Sequence, residues 1–406
     1  MGLLLGEGGH TLSALHRAVS GKKSLASLSR FFSDSPWDHK MVAQYNFSRF
    51  CREIQAKIEQ EQLKLLKERK EQKKRGRCPT PLVTGYLIGD DSTMPKPKGV
   101  KMQGLGRHHS TTYKKRVTGH NLVQCHYTVL GRSCPLEPLL YRQKVTAEKE
   151  GVPFMSKIDL MAQQIQNFAP PPGTRTHVLL DNWYCAKKIW KVARDRGFLI
   201  TTGIRRNRWL RISCDVTPEM PKGWKWERLD DYAASLPKES YQQVNWPGNE
   251  KRKVWVHVID TRVRKLYRCQ VIIVRFSLDD PIKQARFWVT SDLAATAQRC
   301  LEYMSIRWRI EVFFEDMKEL FGIDQYQLMT SRGLLRYWTL CWVAFSFLEQ
   351  LGDQLKQPDG GPPQHVTLGQ ARYQVQLNHR KLFVQWVYQH AHAGTPVEDV
   401  CALLAA

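Results

Sequence analysis

Three acidic residues in this chain occupy positions suited to phosphodiester chemistry. Asp90 ends an apolar run in Leu87-Ile88-Gly89-Asp90, with Asp91 directly after it. Asp181 ends another in Val178-Leu179-Leu180-Asp181, and Glu311 follows Arg307-Trp308-Arg309-Ile310. An acid at the C-terminal end of a buried strand lies where open α/β sheets place their sites. Buried there, it needs a partner or a metal. Taken alone, each aspartate also fits a turn or a helix N-cap, and Glu311 fits a surface ion-pair stripe. Together the three supply hard oxygen ligands that suit Mg²⁺, which takes few carboxylates and keeps waters and phosphate oxygens. Two such ions about 4 Å apart can clamp the attacking and leaving oxygens of an in-line phosphoryl displacement.

Cations accompany the third acid. At about 100° per residue, Tyr303, Arg307, Glu311 and Lys318 share one face of a helix expected over 294–320. The rest of that helix is apolar at Ile306, Ile310, Phe313, Phe314 and Met317. A charged stripe beside so much aromatic surface fits a cleft wall, with Arg307 and Lys318 on flanking phosphates. The whole chain leans the same way. Lys+Arg is 62 against 38 Asp+Glu, a formal charge of +24 over 406 residues. That balance argues against a plain metabolic enzyme for a small neutral substrate and for a polyanion partner.

The elements that must position these groups follow from patterning. Thr11 and Ser24 are expected to cap two short helices around Gly21, either half of a helix-turn-helix or an ordinary helical hairpin. From Met41 to Lys74 no Pro or Gly interrupts, and Phe47, Phe50, Ile54 and Ile58 form one helical stripe. Its end carries Lys73, Lys74 and Arg75, a run that in so basic a chain points to phosphate contact. Lys96, Lys98, Lys101 and Arg107 follow the first aspartate and fit a DNA track or a solvated hairpin equally well. Strands are expected over 82–90, 102–106, 121–130, 176–180 and 198–202, with helices over 156–168 and 184–196. This β-α-β alternation argues for an α/β sheet. Residues 203–292 lack long helical patterns and read as β-rich, with Val254, Val256 and Val258 alternating. A further apolar helix is expected over 334–351 and a helical tail beyond the Gly360-Gly361-Pro362-Pro363 linker.

The Glu311 segment resembles the Y-R-E-K signature of bacterial insertion-sequence transposases of the DDE type. Arg307, Glu311 and Lys318 match its spacing of three and then six intervening residues. Tyr303 departs by one, with three residues rather than two before Arg307. Asp90-Asp91-Ser92-Thr93 resembles the family's first catalytic strand end, and the Asp181 stretch its second. The β-rich block between Asp181 and Glu311 is also similar to an insertion these transposases carry. The resemblance spans roughly 82–351 and implies an α/β, RNase H-like catalytic domain with a β-rich insertion and an N-terminal helical DNA-binding region. It implies boundaries of 1–80 for that region, 81–204 and 292–355 for the catalytic domain, 205–291 for the insertion and 356–406 for the tail.

What the resemblance implies for chemistry is a triad of Asp90, Asp181 and Glu311 holding two Mg²⁺ ions, with Mn²⁺ substituting. Adjacent strand residues point to opposite faces, and the family pattern favours Asp90 over Asp91. Asp90 would serve both ions, and Asp181 and Glu311 one each. The implied activity is cut-and-paste transposition: cleavage at terminal inverted repeats, then strand transfer, by a homodimer paired on transposon ends and target DNA. Trp288, near the end of the insertion, is either a core residue or the aromatic with which relatives hold a flipped base. A domesticated DNA-binding protein and a metal-dependent nuclease on the same fold remain the competing readings.

Ten cysteines form no CxxC pair and no zinc-finger spacing, so reduced thiols are expected. His108-His109 lacks a third ligand at helical spacing. Leu3-Leu4-Leu5 is too short for a signal-peptide core, and the apolar stretch from Tyr337 to Leu348 is too short to span a bilayer. A cytoplasmic, nucleoid-associated protein without membrane contact is the expectation.

Overall fold

The computed structural model describes residues 2–6, 10–18, 24–72, 80–110, 114–218, 220–356 and 366–405. Lys73, Lys74 and Arg75 lie outside the described residues.

Four helices come first: α1 (Gly2–Leu5), α2 (Leu12–Arg17), α3 (Leu25–Ser33) and α4 (His39–Gln72). The side chains of Thr11 and Ser24 cap α2 and α3 by accepting from the amides of Ala14 and Ser27, both at 3.2 Å. The stripe of α4 behaves as its spacing requires. Phe50, Ile54 and Ile58 are buried against the sheet beside Leu87 and Tyr127. Full burial of each such side chain contributes about 1.5–3 kcal/mol.

Seven strands follow: β1 (Val83–Pro95), β2 (Gly106–Ser110), β3 (Lys115–Val129), β4 (Arg132–Pro135), β5 (Leu139–Tyr141), β6 (Thr174–Leu180) and β7 (Leu199–Gly203). Helices α5 (Lys144–Lys149) and α6 (Lys157–Asn167) precede β6, and α7 (Lys187–Asp195) links β6 to β7. β1, β6 and β7 are parallel neighbours, and β3 runs antiparallel to β1 on its other side. This is an RNase H-like α/β core. The strand expected over 102–106 is instead a turn. Gly104 takes a left-handed φ of 83°, which a strand cannot accommodate, and the strand is β2 just downstream.

The insertion holds β8 (Trp209–Ser213), β9 (Trp224–Arg228), α8 (Leu229–Ser235), β10 (Gln242–Trp246), β11 (Asn249–Arg262), β12 (Arg268–Arg275) and β13 (Arg286–Thr290). It does not stand apart from the core. β13 pairs with β7, so β10 to β13 extend the central sheet to eleven strands in all, while β8 and β9 form a separate ribbon.

The helices α9 (Ala297–Arg307), α10 (Arg309–Phe321), α11 (Ser331–Leu355), α12 (Leu368–His392) and α13 (Val397–Ala405) complete the chain. The single helix expected over 294–320 is two. At Trp308 the ladder tightens: its amide reaches the Ser305 carbonyl at 3.2 Å, and Glu311 reaches back only to Trp308 at 3.0 Å. Such i→i−3 bonds have three residues per turn, so the helix divides at Trp308, although Arg307 still reaches Glu311 across the break.

Two apolar clusters lie on opposite faces of the sheet. One gathers α9, α10 and α11 with Leu4, Leu15 and Phe32 of the N-terminal helices. The other gathers α4, α6 and α7. The N-terminal helices are tied to α11 directly. Arg336 donates to the carbonyls of Phe32 at 2.8 Å, Ser35 at 2.6 Å and Trp37 at 2.5 Å. All nine described cysteines are free thiols. Among the described residues no helix is long and apolar enough to cross a membrane.

Candidate active site

The register of β1 and β6 brings the two aspartates together. Gly89 pairs with Leu180, so Asp90 and Asp181 are the next residues on neighbouring strands. β6 stops there, whereas β1 continues beside β3 to Pro95. Asp90, expected to close its strand, therefore lies inside it, five residues before its end at Pro95, but at the end of the parallel pairing. The turn after Asp181 must fold tightly onto β7, and Gly203 permits it. A Cβ at Gly203 would stand 2.9 Å from the Asn182 amide nitrogen.

Asp90 and Asp91 have opposite fates. Asp91 is saturated: it accepts from Lys157 Nζ at 2.6 Å, Asn121 Nδ2 at 3.0 Å and the Tyr184 hydroxyl at 2.9 Å. Asp90 accepts only the Asp91 amide at 2.8 Å, and its other oxygen lies 3.8 Å from Arg307 Nη1. Burial, with the charges of Asp91 and Asp181 added, pushes the Asp90 carboxyl up to about 7. Among the described residues the Asp181 carboxylate has no hydrogen bond or ion pair.

Glu311 enters from α10. Its Oε1 accepts from Arg307 Nη2 at 2.5 Å, so one guanidinium stands between Glu311 and Asp90. Trp288 sits opposite Gly203 in β13, 9% exposed, with its ring 5.7 Å from the Arg307 guanidinium carbon. Arg307, Trp288, Gly203 and Asp181 line a cleft of about 700 Å³ with Asn182, Arg205 and Arg206. Among the described residues no three Asp, Glu, His or Cys side chains converge as a ready metal cage. The donor set nevertheless fits Mg²⁺, which needs few carboxylates and draws its remaining ligands from water and phosphate. Asp90 has Arg307 at 3.8 Å, Asp181 is without a bonded partner among the described residues, and Glu311 is turned to Arg307.

Other residues singled out from sequence go elsewhere. Tyr303 is buried, donates to Asp292 Oδ2 at 2.7 Å and packs on His177 at 4.1 Å, away from the acids. Lys318 is half-buried, and burial lowers its pKa. Lys96 bonds the carbonyls of Asp324 and Tyr326, which pins the loop after α10 rather than facing solvent. Lys98 is exposed in the turn after β1. His108 is buried against Tyr141, with burial lowering it to about 4. Sequence reasoning missed the arginines of the cleft. Arg205, Arg206, Arg228 and Arg286 all line it, and Arg205-Arg206-Asn207-Arg208 directly after β7 was the available signal.

Comparison with known proteins gives one family. The model of the DDE superfamily endonuclease matches residues 1–253, which include Asp90 and Asp181 and end before Glu311. No curated protein matches the chain in sequence. Among solved structures, the cryo-EM structure of the piggyBac transposase synaptic complex with hairpin DNA aligns with a TM-score of 0.41 and 10% identity. That alignment covers 74% of this chain and 52% of the other, so the chain spans about half that protein's length.

Proposed function

The chain belongs to the DDE superfamily of endonucleases, and from that premise we propose that it is a DNA transposase with Asp90, Asp181 and Glu311 as its catalytic acids. The observation that carries the reading is the Arg307 guanidinium set between Asp90 and Glu311, beside an unpartnered Asp181, in an arginine-lined cleft. Acids alone would repel a phosphodiester. Arginines on the same walls supply the planar, bidentate donors that phosphate takes.

On this reading Asp90, Asp181 and Glu311 would hold two Mg²⁺ ions, Mn²⁺ substituting, and the ions would supply charge stabilisation to the phosphate. Arg307 orients Glu311 in the absence of DNA and faces the phosphate when DNA arrives. Water first breaks the phosphodiester at a terminal inverted repeat, leaving a 3′-OH on the element and a 5′-phosphate on the flank. The 3′-OH then attacks a target phosphodiester, whose own 3′-oxygen leaves. Lys318 and Lys98 contact flanking phosphates, and two copies of the chain pair the two ends.

The test uses supercoiled plasmid carrying the DNA that flanks this gene, with Mg²⁺ or Mn²⁺. Metal-dependent cuts at an inverted repeat, lost in Asp90→Ala, Asp181→Ala and Glu311→Ala, are the expected result. Joined products establish strand transfer. Cuts without joining leave a nuclease, repeat binding without cuts a DNA-binding protein, and equal behaviour of all variants removes the triad.

A further inference from the structure

A second basic feature leaves the acid cleft and involves none of the three acids. Arg205 lines the cleft and two smaller hollows beside it, of about 170 and 470 Å³. Asn182 joins the cleft to the first hollow, and Arg208 joins the first to the second. The first hollow is walled by Trp183, and the second by Trp209, Arg264 and Lys265. The hollows thus form one continuous trough that starts at the turn after Asp181.

Its lining is unusual for a structural feature. Trp183 is 56% exposed and Trp209 40%. Arg205 lies 5.6 Å from the Trp183 ring, and among the described residues Arg205, Arg264 and Lys265 make no ion pair with an acid. The trough is nevertheless held in shape. Arg264 donates its amide to the Trp209 carbonyl at 2.8 Å, and Arg208 donates to the Cys185 carbonyl at 3.2 Å.

We propose that this trough binds single-stranded DNA, the flanking strand beside the cut. The proposal rests on the transposase reading of the acid site. Uncompensated cations follow a phosphate backbone, and exposed indoles interleaved with them offer faces to unpaired bases. A duplex covers its base faces, so the two tryptophans serve only a strand that is unpaired. Stacking accepts any base, which suits flanks that differ from one insertion to the next.

The test is fluorescence anisotropy of the full chain in EDTA, so that no cleavage intervenes. The probes are a short labelled oligo(dT) and a duplex of mixed sequence. The variant Arg264→Gln/Lys265→Gln should lose about tenfold in oligo(dT) affinity. Its log-log salt slope should flatten by about 1.4, as two contacts at about 0.7 each require. Trp183→Ala/Trp209→Ala should lose about tenfold with the slope unchanged, and the corresponding double Phe variant should regain it. Duplex affinity should stay within about twofold throughout. An equal loss for duplex would make the trough part of a duplex footprint, and unchanged oligo(dT) binding would mean no strand lies there. Failure of the wild type to bind either DNA would instead overturn the transposase reading itself.

Discussion

The guanidinium of Arg307 reaches two acids from different parts of the chain. Nη2 donates to Glu311 Oε1 at 2.5 Å, and Nη1 lies 3.8 Å from Asp90 Oδ2. Only a planar fork can face both at once, because a lysine ammonium is a single point charge. Arg307→Lys should therefore cut plasmid almost as poorly as Arg307→Ala, each down by about a hundredfold, the scale of losing one site donor. Full activity in the lysine variant would show that charge near Asp90 suffices and the bridge to Glu311 is incidental.

The neighbouring aspartates should separate function from stability. Asp90 carries a carboxyl raised to about 7 by burial and by Asp91 and Asp181. A raised acid makes the fold most stable below the unfolded value near 3.8 and less stable as pH rises through about 7. Asp90→Asn should thus abolish cleavage yet raise the melting temperature of metal-free protein, more at pH 8 than at pH 5. Asp91→Asn should do the reverse. It leaves Lys157 without its carboxylate, at about 3 kcal/mol for a half-buried pair, while cleavage by the folded fraction persists. If Asp91→Asn abolishes cleavage with an unchanged melting temperature, the roles are exchanged.

What was legible in the sequence follows a physical line. Apolar runs that end in acid were readable because strand burial and an uncompensated carboxylate conflict on the page, and the register Gly89 to Leu180 resolves the conflict spatially. The stripe of α4 was readable for the same reason, since helical spacing and burial agree. The break at Trp308 was not, because tryptophan has no strong propensity against a helix, and the tighter turn is set by tertiary packing. Tyr303 shares α9 with Arg307, and its bond to Asp292 is a tertiary contact that helical spacing does not carry. The role of Lys96 was hidden too, since nothing local reveals that carbonyls more than two hundred residues away await it. The arginines after β7 carry no periodicity, so a basic Arg-Arg-Asn-Arg run does not by itself say which edge of the sheet displays it.

Lys96 should therefore matter to stability and not to DNA. Its Nζ bonds the Asp324 carbonyl and the Tyr326 carbonyl, the latter at 2.5 Å, and lies 3.8 Å from the centre of the Tyr326 ring. Charged hydrogen bonds of this kind contribute about 1.5–3 kcal/mol. Lys96→Met should lower unfolding free energy by about 2 kcal/mol in urea titration, with unchanged affinity for duplex DNA. Lys98→Ala, at an exposed turn, should leave stability alone and weaken binding modestly at low salt. Reduced DNA affinity in folded Lys96→Met would return it to the DNA contacts.

Four buried histidines should set the response to acid. Burial lowers His108 and His120 to about 4, and His126 and His177 to about 3. The fold holds them neutral, so the unfolded chain takes protons first as pH falls below about 6.5, and stability drops from there toward about 4. Each histidine adds about 1.4 kcal/mol per pH unit within that window. Asp90 and Asp316, whose carboxyls burial raises to about 7 and about 6, act in the opposite direction over much of the same range. His126 is the cleanest probe. Both ring nitrogens lack hydrogen-bond partners among the described residues, and the ring packs edge-on against Phe313 and Phe345 at 5.0 and 5.8 Å. His126→Leu keeps an apolar group there and removes the titration. Its urea midpoint should change little at pH 7.5 and fall less steeply than wild type between pH 6 and pH 4.5. Parallel profiles for the two proteins would mean that His126 is protonated within the folded state and is not part of the acid response.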